Sequence, residues 1–462
     1  MGKWTRRGVL SAGVLSGTGL VIGIAVRPGN PAETAGHLVL GEDENLLHIY
    51  LKIDGDNRAT AILPHSEMGQ GAQTALTQML AEEMDADWNL MRFEEAPANA
   101  EYANMAVGRG YLFKGIDFPD VVVPTVDGLM LNLADALGMQ ITGGSMSIRT
   151  TGQYFLRAAG ASVREMLVKT ASKAWGVPES EIRTAKSMLH HDSSGRLAPY
   201  SEFAAAAAEM TPSSTPKLKK TSQFSVMGHS KPRHDIPSKV DGTAMFAMDV
   251  KRPGMVYAAV KRTPVAGGTL RRVDDNAARA MKGVIDVVKV GPSSAAGLVG
   301  TYSAGDTIAV VADSYWTAEK ALASLKLEWN TEGKERVSSE SIFEQFDRDI
   351  TAGVDRANDV AMGDATAAFD SAATVLTADY RVPYLAHTCM EPPNATAEVF
   401  ADRAEIWVGC QNPLGFRQHL AANLGLNVQQ VTLHNYFMGG GFGRKSNADY
   451  ALQAAMIARQ VG

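Results

Sequence analysis

MGGGFGRK, at residues 438–445, joins a predicted strand to a predicted helix. Three successive glycines, and a fourth after one aromatic residue, leave the backbone open to a bulky polar ligand. Residues 431–437 (VTLHNYF) have the composition of a strand, and residues 448–461 predict a helix that Ser446 or Asn447 could cap. Such a junction suits phosphate or another oxyanion, because it gathers backbone N–H groups at the positive end of a helix dipole. The alternative is a tight turn with only a structural role.

Two familiar phosphate-binding patterns do not match this stretch. The dinucleotide-binding fingerprint needs Gly at i, i+2 and i+5, and counting from Gly439 its third glycine position holds Arg444. The P-loop pattern fits residues 439–446 except at the same arginine, where glycine is required. A P-loop-like nucleotide-binding protein therefore stays as a less favoured alternative.

Composition narrows the class of protein. The 462 residues suffice for two to four domains, and the hydrophobic content of 45% is ordinary for a soluble globular protein. A net charge of -6 without a basic stripe argues against nucleic acid as a partner. Cys389 and Cys410 are too few to bind an iron–sulfur cluster, so any such electron relay would lie on another chain.

The N-terminus has the pattern of an export signal. Arg6 and Arg7 precede residues 8–26, which are apolar or small throughout. Residues 4–10 (WTRRGVL) resemble a twin-arginine signal, with Val where Phe is usual, and this predicts a periplasmic location. An uncleaved N-terminal membrane anchor is the alternative, because the run is nearly long enough to span a bilayer. Residues 1–35 are therefore set apart from the folded domains.

A second glycine-bearing loop lies at residues 65–71 (HSEMGQG). It follows two predicted strands within residues 46–63, which residues 54–57 (DGDN) join as a hairpin turn. It leads into a predicted helix, and Gln70 is placed to offer an uncharged amide donor to an oxygen atom of a ligand. The alternative is a strand-to-helix turn with a solvated glutamine.

A third loop, residues 141–152 (ITGGSMSIRTTG), combines two glycines with small hydroxyl side chains, including Ser145 and Ser147, around Arg149. Bare backbone, hydroxyl donors and one guanidinium are typical of an anion-binding nest. A solvated polar loop is the alternative interpretation.

The remaining segments indicate how the chain is divided. Residues 211–222 have linker composition, and residues 223–335 predict a compact α+β unit. Strands are expected again from Ala372 onward. His387 and Glu391 have the spacing of a helical metal pair, but the two prolines that follow argue against a helix there.

Five motifs occur in a consistent arrangement: EMGQG at residues 67–71, TGGSMS at 142–147, the stretch 239–258, the stretch 387–392, and GGGFG at 439–443. Together they resemble the xanthine oxidase family of molybdenum hydroxylases. The likeness is to the large, molybdopterin-carrying subunit of the isoquinoline 1-oxidoreductase and periplasmic aldehyde dehydrogenase type, in which EMGQG also precedes GGGFG.

This resemblance implies an α+β fold in which an aldehyde oxidase/xanthine dehydrogenase hammerhead domain is flanked by parts of molybdopterin-binding α+β domains. The hammerhead domain would be residues 223–335, after the linker at 211–222. The molybdopterin-binding parts would be residues 36–210, with EMGQG, and residues 336–462, with GGGFG.

The resemblance also implies a site. Gln411, whose amide would approach an oxo ligand of molybdenum, and Phe442 are expected to be catalytic. The implied cofactor is molybdopterin cytosine dinucleotide, whose pterin holds the metal, so that no protein residue is a metal ligand. Its expected contacts are Gly69, Gln70, Gly71, Ser145, Ser147, Gln411, Gly440, Gly441, Phe442, Gly443 and Arg444.

The family mechanism requires a glutamate as general base, which in relatives lies in a segment that would follow Gly462. Glu67 and Glu391 do not match that motif. The chain is therefore expected to be a C-terminally truncated fragment, inactive by itself.

The resemblance thus predicts an enzyme subunit that oxidises an aldehyde or an N-heteroaromatic compound, with water as oxygen donor. Electrons would pass to a small [2Fe–2S] partner subunit and from there to an acceptor such as a cytochrome c. The main alternative is an exported protein that binds or assembles the pterin dinucleotide without catalysis.

Overall fold

A computed structural model describes residues 31–106, 119, 122–143, 145–265, 267–297, 300–333, 337–352 and 362–462 of the chain. Nearly all of the predicted export signal, and Gly144 of the TGGSMS motif, lie outside these residues. Within these ranges, no helix is long and apolar enough to cross a membrane. Helices and several small sheets are mixed along the chain, which confirms the predicted α+β class.

The helices are α1 Pro31–Val39, α2 Ala72–Met84, α3 Val123–Ala136, α4 Arg157–Trp175, α5 Tyr200–Ala208, α6 Ile236–Asp241, α7 Asn276–Arg279, α8 Tyr315–Ser324, α9 Ser339–Ala352, α10 Ala365–Ser371, α11 Pro413–Leu424 and α12 Asp449–Val461. A π-helical segment, Ser147–Leu156, runs directly into α4. The second half of the predicted loop at residues 141–152 is therefore helical and not open.

The strands are β1 Glu44–His48, β2 Leu51–Asp54, β3 Ala59–Leu63, β4 Met91–Glu95, β5 Ile182–Ala185, β6 Met188–His191, β7 Arg196–Pro199, β8 Tyr257–Arg262, β9 Thr269–Asp274, β10 Val284–Val290, β11 Ser293–Gly297, β12 Gly300–Ala304, β13 Thr307–Ala312, β14 Lys326–Asn330, β15 Ala395–Val399, β16 Ala404–Val408 and β17 Val431–Asn435. They form sheets of orders β1-β2-β3-β4, β5-β6-β7, β10-β13-β8, β9-β14, β11-β12 and β15-β16-β17.

The first sheet positions the loop at residues 65–71. Strand β3 is buried along its whole length and pairs antiparallel with β2 and parallel with β4. The predicted hairpin between β2 and β3 is confirmed, with the Asn57 N–H donating to the Asp54 carbonyl at 3.1 Å. Helix α2, which follows the loop, packs against α4 where Gly160 leaves room for the Leu80 carbonyl. The loop thus joins two well-buried elements.

The last sheet positions the glycine run. Strands β16 and β17 are parallel, and α11 forms the crossover that such a pair requires. The predicted strand at residues 431–437 is confirmed as the shorter β17, and the predicted final helix as α12. Neither Ser446 nor Asn447 is the N-cap, because a turn of 3₁₀ helix over Arg444–Ser446 moves the helix start to Ala448.

The middle of the chain forms a separate small core. Strands β8, β13 and β10 make one antiparallel sheet, and β9 with β14 make a second ribbon. Helix α8 packs on β8 and β13. On the other face, Ile457 of α12 joins Val288 and Val290 of β10 in a buried cluster. This unit therefore packs against the helix that follows the glycine run.

The stretch from Ala372 to Met390 differs from the prediction. The sequence predicts strands there, but in the described chain no strand lies between Ala372 and the start of β15. Large apolar side chains remain exposed, such as Tyr380 and Met390. The apolar alternation is strand-like, but among the described residues no neighbouring strand pairs with it.

Buried charges hold the end of the segment with linker composition and the residues that follow it. Glu82, near the end of α2, accepts hydrogen bonds from the backbone N–H groups of Ser225, Val226 and Met227 at 2.6–3.0 Å. Lys219 Nζ lies 3.0 Å from the same side chain. Burial by itself raises the pKa of Glu82. The N–H groups and the ammonium together lower the pKa by more than burial raises it, so that it lies below its ordinary value.

We expect Glu82→Gln to destabilise the protein by about 2 kcal/mol at pH 7, because hydrogen bonds to a charged carboxylate are lost. Since the folded pKa is depressed, this advantage of the wild type is present above the ordinary pKa of 4.5 and is lost as the pH falls through the folded value. Urea unfolding of both proteins at pH 7 and pH 4 tests this. Glu209→Gln, at an exposed position, is the control.

Candidate functional site

The glycine run forms a tight loop in which several residues have left-handed backbone angles. Gly440, Phe442 and Gly443 have positive φ angles of 95°, 52° and 82°. Gly441 lies so close to its surroundings that a Cβ there would approach Met68 Sδ at 2.6 Å and Gln411 Oε1 at 2.7 Å. A non-glycine residue in the left-handed region is strained, and such strain is common at functional sites. The Phe442 side chain is 68% exposed beside this loop.

Three consecutive N–H groups of this loop lack a protein acceptor. Among the residues that the structure describes, the N–H groups of Gly440, Gly441 and Phe442 donate no hydrogen bond, whereas those of Gly439 and Gly443 do. Successive unpaired N–H groups in a turn attract oxygen atoms that carry negative charge. The loop is therefore suited to bind an oxyanion or a similar oxygen-rich ligand.

Gln411 connects two of the predicted loops. Its Oε1 accepts a hydrogen bond from the Gly443 N–H at 3.0 Å, and its Nε2 donates to the Thr142 carbonyl at 2.9 Å. The Thr142 N–H in turn donates to the Gln411 carbonyl at 2.7 Å. The side chain is 3% exposed. The predicted contact of the Gln411 amide with a metal ligand stays a prediction, and in the structure the amide fixes the distance between the two loops.

A buried ion pair contacts the glycine run on the side of Glu391. Lys445 Nζ lies 2.6 Å from Glu391 Oε2, and both side chains are almost fully buried. The Gly439 N–H donates to the same carboxylate oxygen at 3.0 Å, while the Glu391 N–H donates to the Gly439 carbonyl at 2.9 Å. A Cβ on Gly439 would approach the Cβ of Glu391 at 2.6 Å. The stretch before β15 is thereby held against the glycine run.

The loop at residues 67–71 is organised around its own glutamate. Glu67 Oε1 accepts the N–H groups of Gly69 and Gly71, each at 2.9 Å, and the carboxylate is completely buried. Gln70 uses its side-chain oxygen for the Met68 N–H at 2.7 Å and its amide nitrogen for the Ser66 carbonyl at 3.0 Å. The predicted contacts of Gly69, Gln70 and Gly71 with a cofactor stay a prediction. In this structure their glycine N–H groups already have an intramolecular acceptor.

The loop with TGGSMS meets this one at a buried histidine. His65 Nε2 lies 2.7 Å from Thr151 Oγ1, and its Nδ1 lies 3.2 Å from Ser147 Oγ. Burial lowers the pKa of His65 to about 3, so the imidazole is neutral at physiological pH. Ser147 is therefore turned into the protein, whereas Ser145, with a φ of 61°, is exposed.

Arg444 is paired within the protein. Its Nη1 and Nη2 donate to the two carboxylate oxygens of Asp449, each at 2.8 Å, at the start of α12. Arg262 of β8 lies 2.7 Å from the same carboxylate. Arg444, predicted as a cofactor contact, thus links the glycine run to the helix and to the middle unit.

Comparison with known proteins gives the chain a family. Residues 347–462 match the molybdopterin cofactor-binding domain. Over 90% of its length the chain is 30% identical to the isoquinoline 1-oxidoreductase subunit beta of Brevundimonas diminuta and covers 53% of it. Over 90% of its length it is also 28% identical to a membrane-bound aldehyde dehydrogenase [pyrroloquinoline-quinone] of Gluconacetobacter polyoxogenes, covering 49% of that protein. The chain is a large-subunit sequence of the xanthine oxidase family. The resemblance seen in the motifs is confirmed.

The chain spans about half the length of these relatives. Among solved structures, quinoline 2-oxidoreductase from Pseudomonas putida 86 is similar over 51% of this chain and 33% of its own, with 22% identity and a TM-score of 0.37.

The residues present fit a molybdopterin cofactor on the side of the glycine run. The unpaired N–H groups of Gly440, Gly441 and Phe442 suit the oxygen atoms of such a group, and the missing Cβ of Gly441 lets Met68 and Gln411 pack directly against the loop. Gln411 and Phe442 lie at the same loop. The glycine run and the loop that contains Thr142 are joined through Gln411 by direct hydrogen bonds.

Several residues that shape this site were not predicted from the sequence. Glu95 of β4 accepts hydrogen bonds from Ser66 Oγ at 2.9 Å and from the side chains of Asn435 and Gln73, and thus links the ends of β4, β17 and the 67–71 loop. No local pattern in the sequence marks Glu95 as part of this site, because the residues on either side of it form no glycine loop. Its partner Asn435 lies 340 positions away in the chain.

Glu95 is expected to titrate near neutrality. Burial raises its pKa to about 7, against the lowering effect of its three hydrogen-bond donors, and Glu67 raises it further. Because the folded pKa is raised, the folded protein holds an extra proton below pH 7. The resulting stability is full below the ordinary pKa of 4.5 and is lost as the pH rises through about 7. Carbon-13 NMR titration of the glutamate carboxyls measures this, and a Glu95 midpoint near that of exposed Glu209 contradicts it.

Proposed function

We propose that this chain forms a cofactor-binding part of a molybdenum hydroxylase large subunit that oxidises an aldehyde or an N-heteroaromatic compound. The observation that carries the proposal is the glycine run, whose three consecutive unpaired N–H groups lie next to Gln411. In this family, bound molybdenum supplies oxidation with oxygen derived from water. The proposed cofactor is the cytosine dinucleotide form of molybdopterin.

The roles of the residues follow from their contacts. Gly440, Gly441 and Phe442 would donate N–H hydrogen bonds to oxygen atoms of the cofactor. Gln411 would hold the loop spacing, because its buried amide is hydrogen-bonded to both loops. The exposed Phe442 ring would cover the site and exclude water from it. Glu67 and Lys445 would act as positioning residues, because each fixes a loop backbone and contacts no open space.

We further propose that electrons leave through a small [2Fe–2S] partner subunit, because the two free cysteines of this chain, Cys389 and Cys410, are too few to bind such a cluster. The names of relatives support a multi-subunit enzyme, since they describe a subunit beta and, for a protein of Escherichia coli, a molybdenum-binding subunit. A cytochrome c as the next acceptor and a periplasmic location complete the proposal.

The full-length protein, produced in a bacterium that makes molybdopterin dinucleotides, tests the proposal. We expect bound molybdenum, release of CMP on acid hydrolysis, and dye-coupled oxidation of benzaldehyde or isoquinoline when the partner subunit is present. Molybdenum without turnover of any aldehyde or azaarene contradicts the enzymatic part. Absence of both molybdenum and CMP contradicts the whole proposal.

One observation favours the alternative of a binding or assembly protein without catalysis. Each glutamate described beside the loops is already engaged: Glu67 by backbone N–H groups, Glu391 by Lys445, and Glu95 by three side-chain donors. None of these three is arranged as a general base. Bound cofactor with no oxidation in the assembled complex would support this alternative.

A further inference from the structure

A pocket of about 530 Å³ opens beside the 67–71 loop, on a side that the proposed function does not use. Its walls come from three separate stretches of chain, namely residues 88–93, residues 232–238 and Phe437. Pockets of a few hundred Å³ are the size that small-molecule ligands occupy.

Aromatic rings form one wall of this pocket. The rings of Trp88 and His234 lie with centroids 4.4 Å apart and 35° between their planes, and Phe93 stands edge-on to His234 at 6.2 Å. Phe437 lines the pocket as well. Ring faces arranged in this way favour a planar aromatic guest by offset stacking.

The charged groups in the lining are two guanidiniums, Arg92 and Arg233, and one carboxylate, Asp235. Asp235 is neutralised within the wall, because Arg233 Nε donates to it at 2.9 Å and Lys239 Nζ lies 2.6 Å from it. Arg92 donates through Nη1 to the Asn89 carbonyl at 2.8 Å, which holds its guanidinium at the pocket. The wall therefore favours an anion.

One polar atom in the lining lacks a partner. His234 Nε2 is buried and, within the described part of the chain, has no hydrogen-bond partner. Because this atom has no accessible surface in the empty pocket, a ligand would reach it only if the ring moved, and the binding argument therefore rests on the aromatic rings and on Arg92.

We propose that this pocket binds a planar aromatic acid, with its ring against Trp88 and His234 and its carboxylate or phosphate at Arg92. The site is separate from the glycine run, and Arg233 connects it to the 67–71 loop, because its Nη1 donates to the Gly69 carbonyl at 3.1 Å. The proposal does not depend on molybdenum binding.

Isothermal titration of the purified protein tests this with four probes. Benzoate and phenyl phosphate carry both ring and charge, cyclohexanecarboxylate lacks the aromatic ring, and benzamide lacks the charge. We expect benzoate or phenyl phosphate to bind, and the tighter of the two to show which anion the pocket prefers. Cyclohexanecarboxylate should bind about fivefold more weakly, and benzamide about tenfold more weakly, than the tighter aromatic acid.

Variants locate the binding. Arg92→Gln and Trp88→Leu should each weaken it by about fivefold to tenfold, whereas Arg272→Gln and Trp316→Leu, at exposed positions elsewhere, should leave it unchanged. Urea unfolding shows whether each variant is folded. Three results would overturn the proposal. They are binding of neither aromatic acid, binding of cyclohexanecarboxylate as tight as that of the aromatic acids, and unchanged binding by both pocket variants. Because the probes do not involve molybdenum, failure here leaves the proposed function standing.

Discussion

Lys445→Met is expected to destabilise the folded protein by about 3–5 kcal/mol, because it leaves the Glu391 carboxylate buried without its cation. The ammonium and the carboxylate lie 2.6 Å apart, with side-chain exposures of 1% and 6%. A charge stranded in such a place cannot recover its hydration. Urea unfolding at pH 7, followed by circular dichroism, measures the change.

A matched double variant separates the ion pair from simple packing. Lys445→Met combined with Glu391→Met removes both charges and should recover much of the lost stability, since an apolar pair of similar volume often replaces a buried ion pair well. Arg183→Met, which breaks an exposed pair with Asp192, should change the stability by less than about 1 kcal/mol. A Lys445→Met effect as small as this control contradicts the assignment.

Gly441→Ala is expected to lower the molybdenum content of the purified protein by about tenfold while leaving it folded. The added methyl group would approach Gln411 Oε1 at 2.7 Å and Met68 Sδ at 2.6 Å. The Met68 side chain can turn away, but Gln411 is held by Gly443 and Thr142. Overpacking typically costs about 1–3 kcal/mol, and about 1.4 kcal/mol of lost affinity is a factor of ten.

Gly128→Ala is the control for this substitution. Gly128 lies inside α3, where a Cβ would meet no atom within 4 Å, so alanine should keep the metal content and stabilise the helix slightly. Mass spectrometry measures the molybdenum content of each variant, and urea unfolding measures its stability. A folded Gly441→Ala protein with unchanged molybdenum would show that the cofactor does not approach this loop.

Local features of the sequence predicted the elements around the site well. Strand β17, the glycine run and α12 follow from composition and from glycine's freedom to adopt positive φ. The turn between β2 and β3 follows from a DGDN sequence. The stretch after Ala372 was predicted wrongly, because its alternation of apolar residues indicates a strand but a strand also needs a neighbour to pair with.

The glutamates show why the rest of the site could not be predicted from the sequence. From the sequence, Glu67 and Glu391 are two carboxylates near glycine loops. In the fold, Glu67 binds the backbone of its own loop, and Glu391 meets a lysine 54 positions later. Only the folded chain shows that both have structural partners.

The sequence by itself determined the family and the chemical character of the glycine run, because both depend on residues that are adjacent in the chain. The tertiary structure decided how the loops meet. Gln411 joins Gly443 to Thr142, and Glu95 joins Ser66 to Asn435, across separations of up to 369 residues along the chain. Contacts of this kind depend on the packing of whole sheets and helices, which no local pattern of residues encodes.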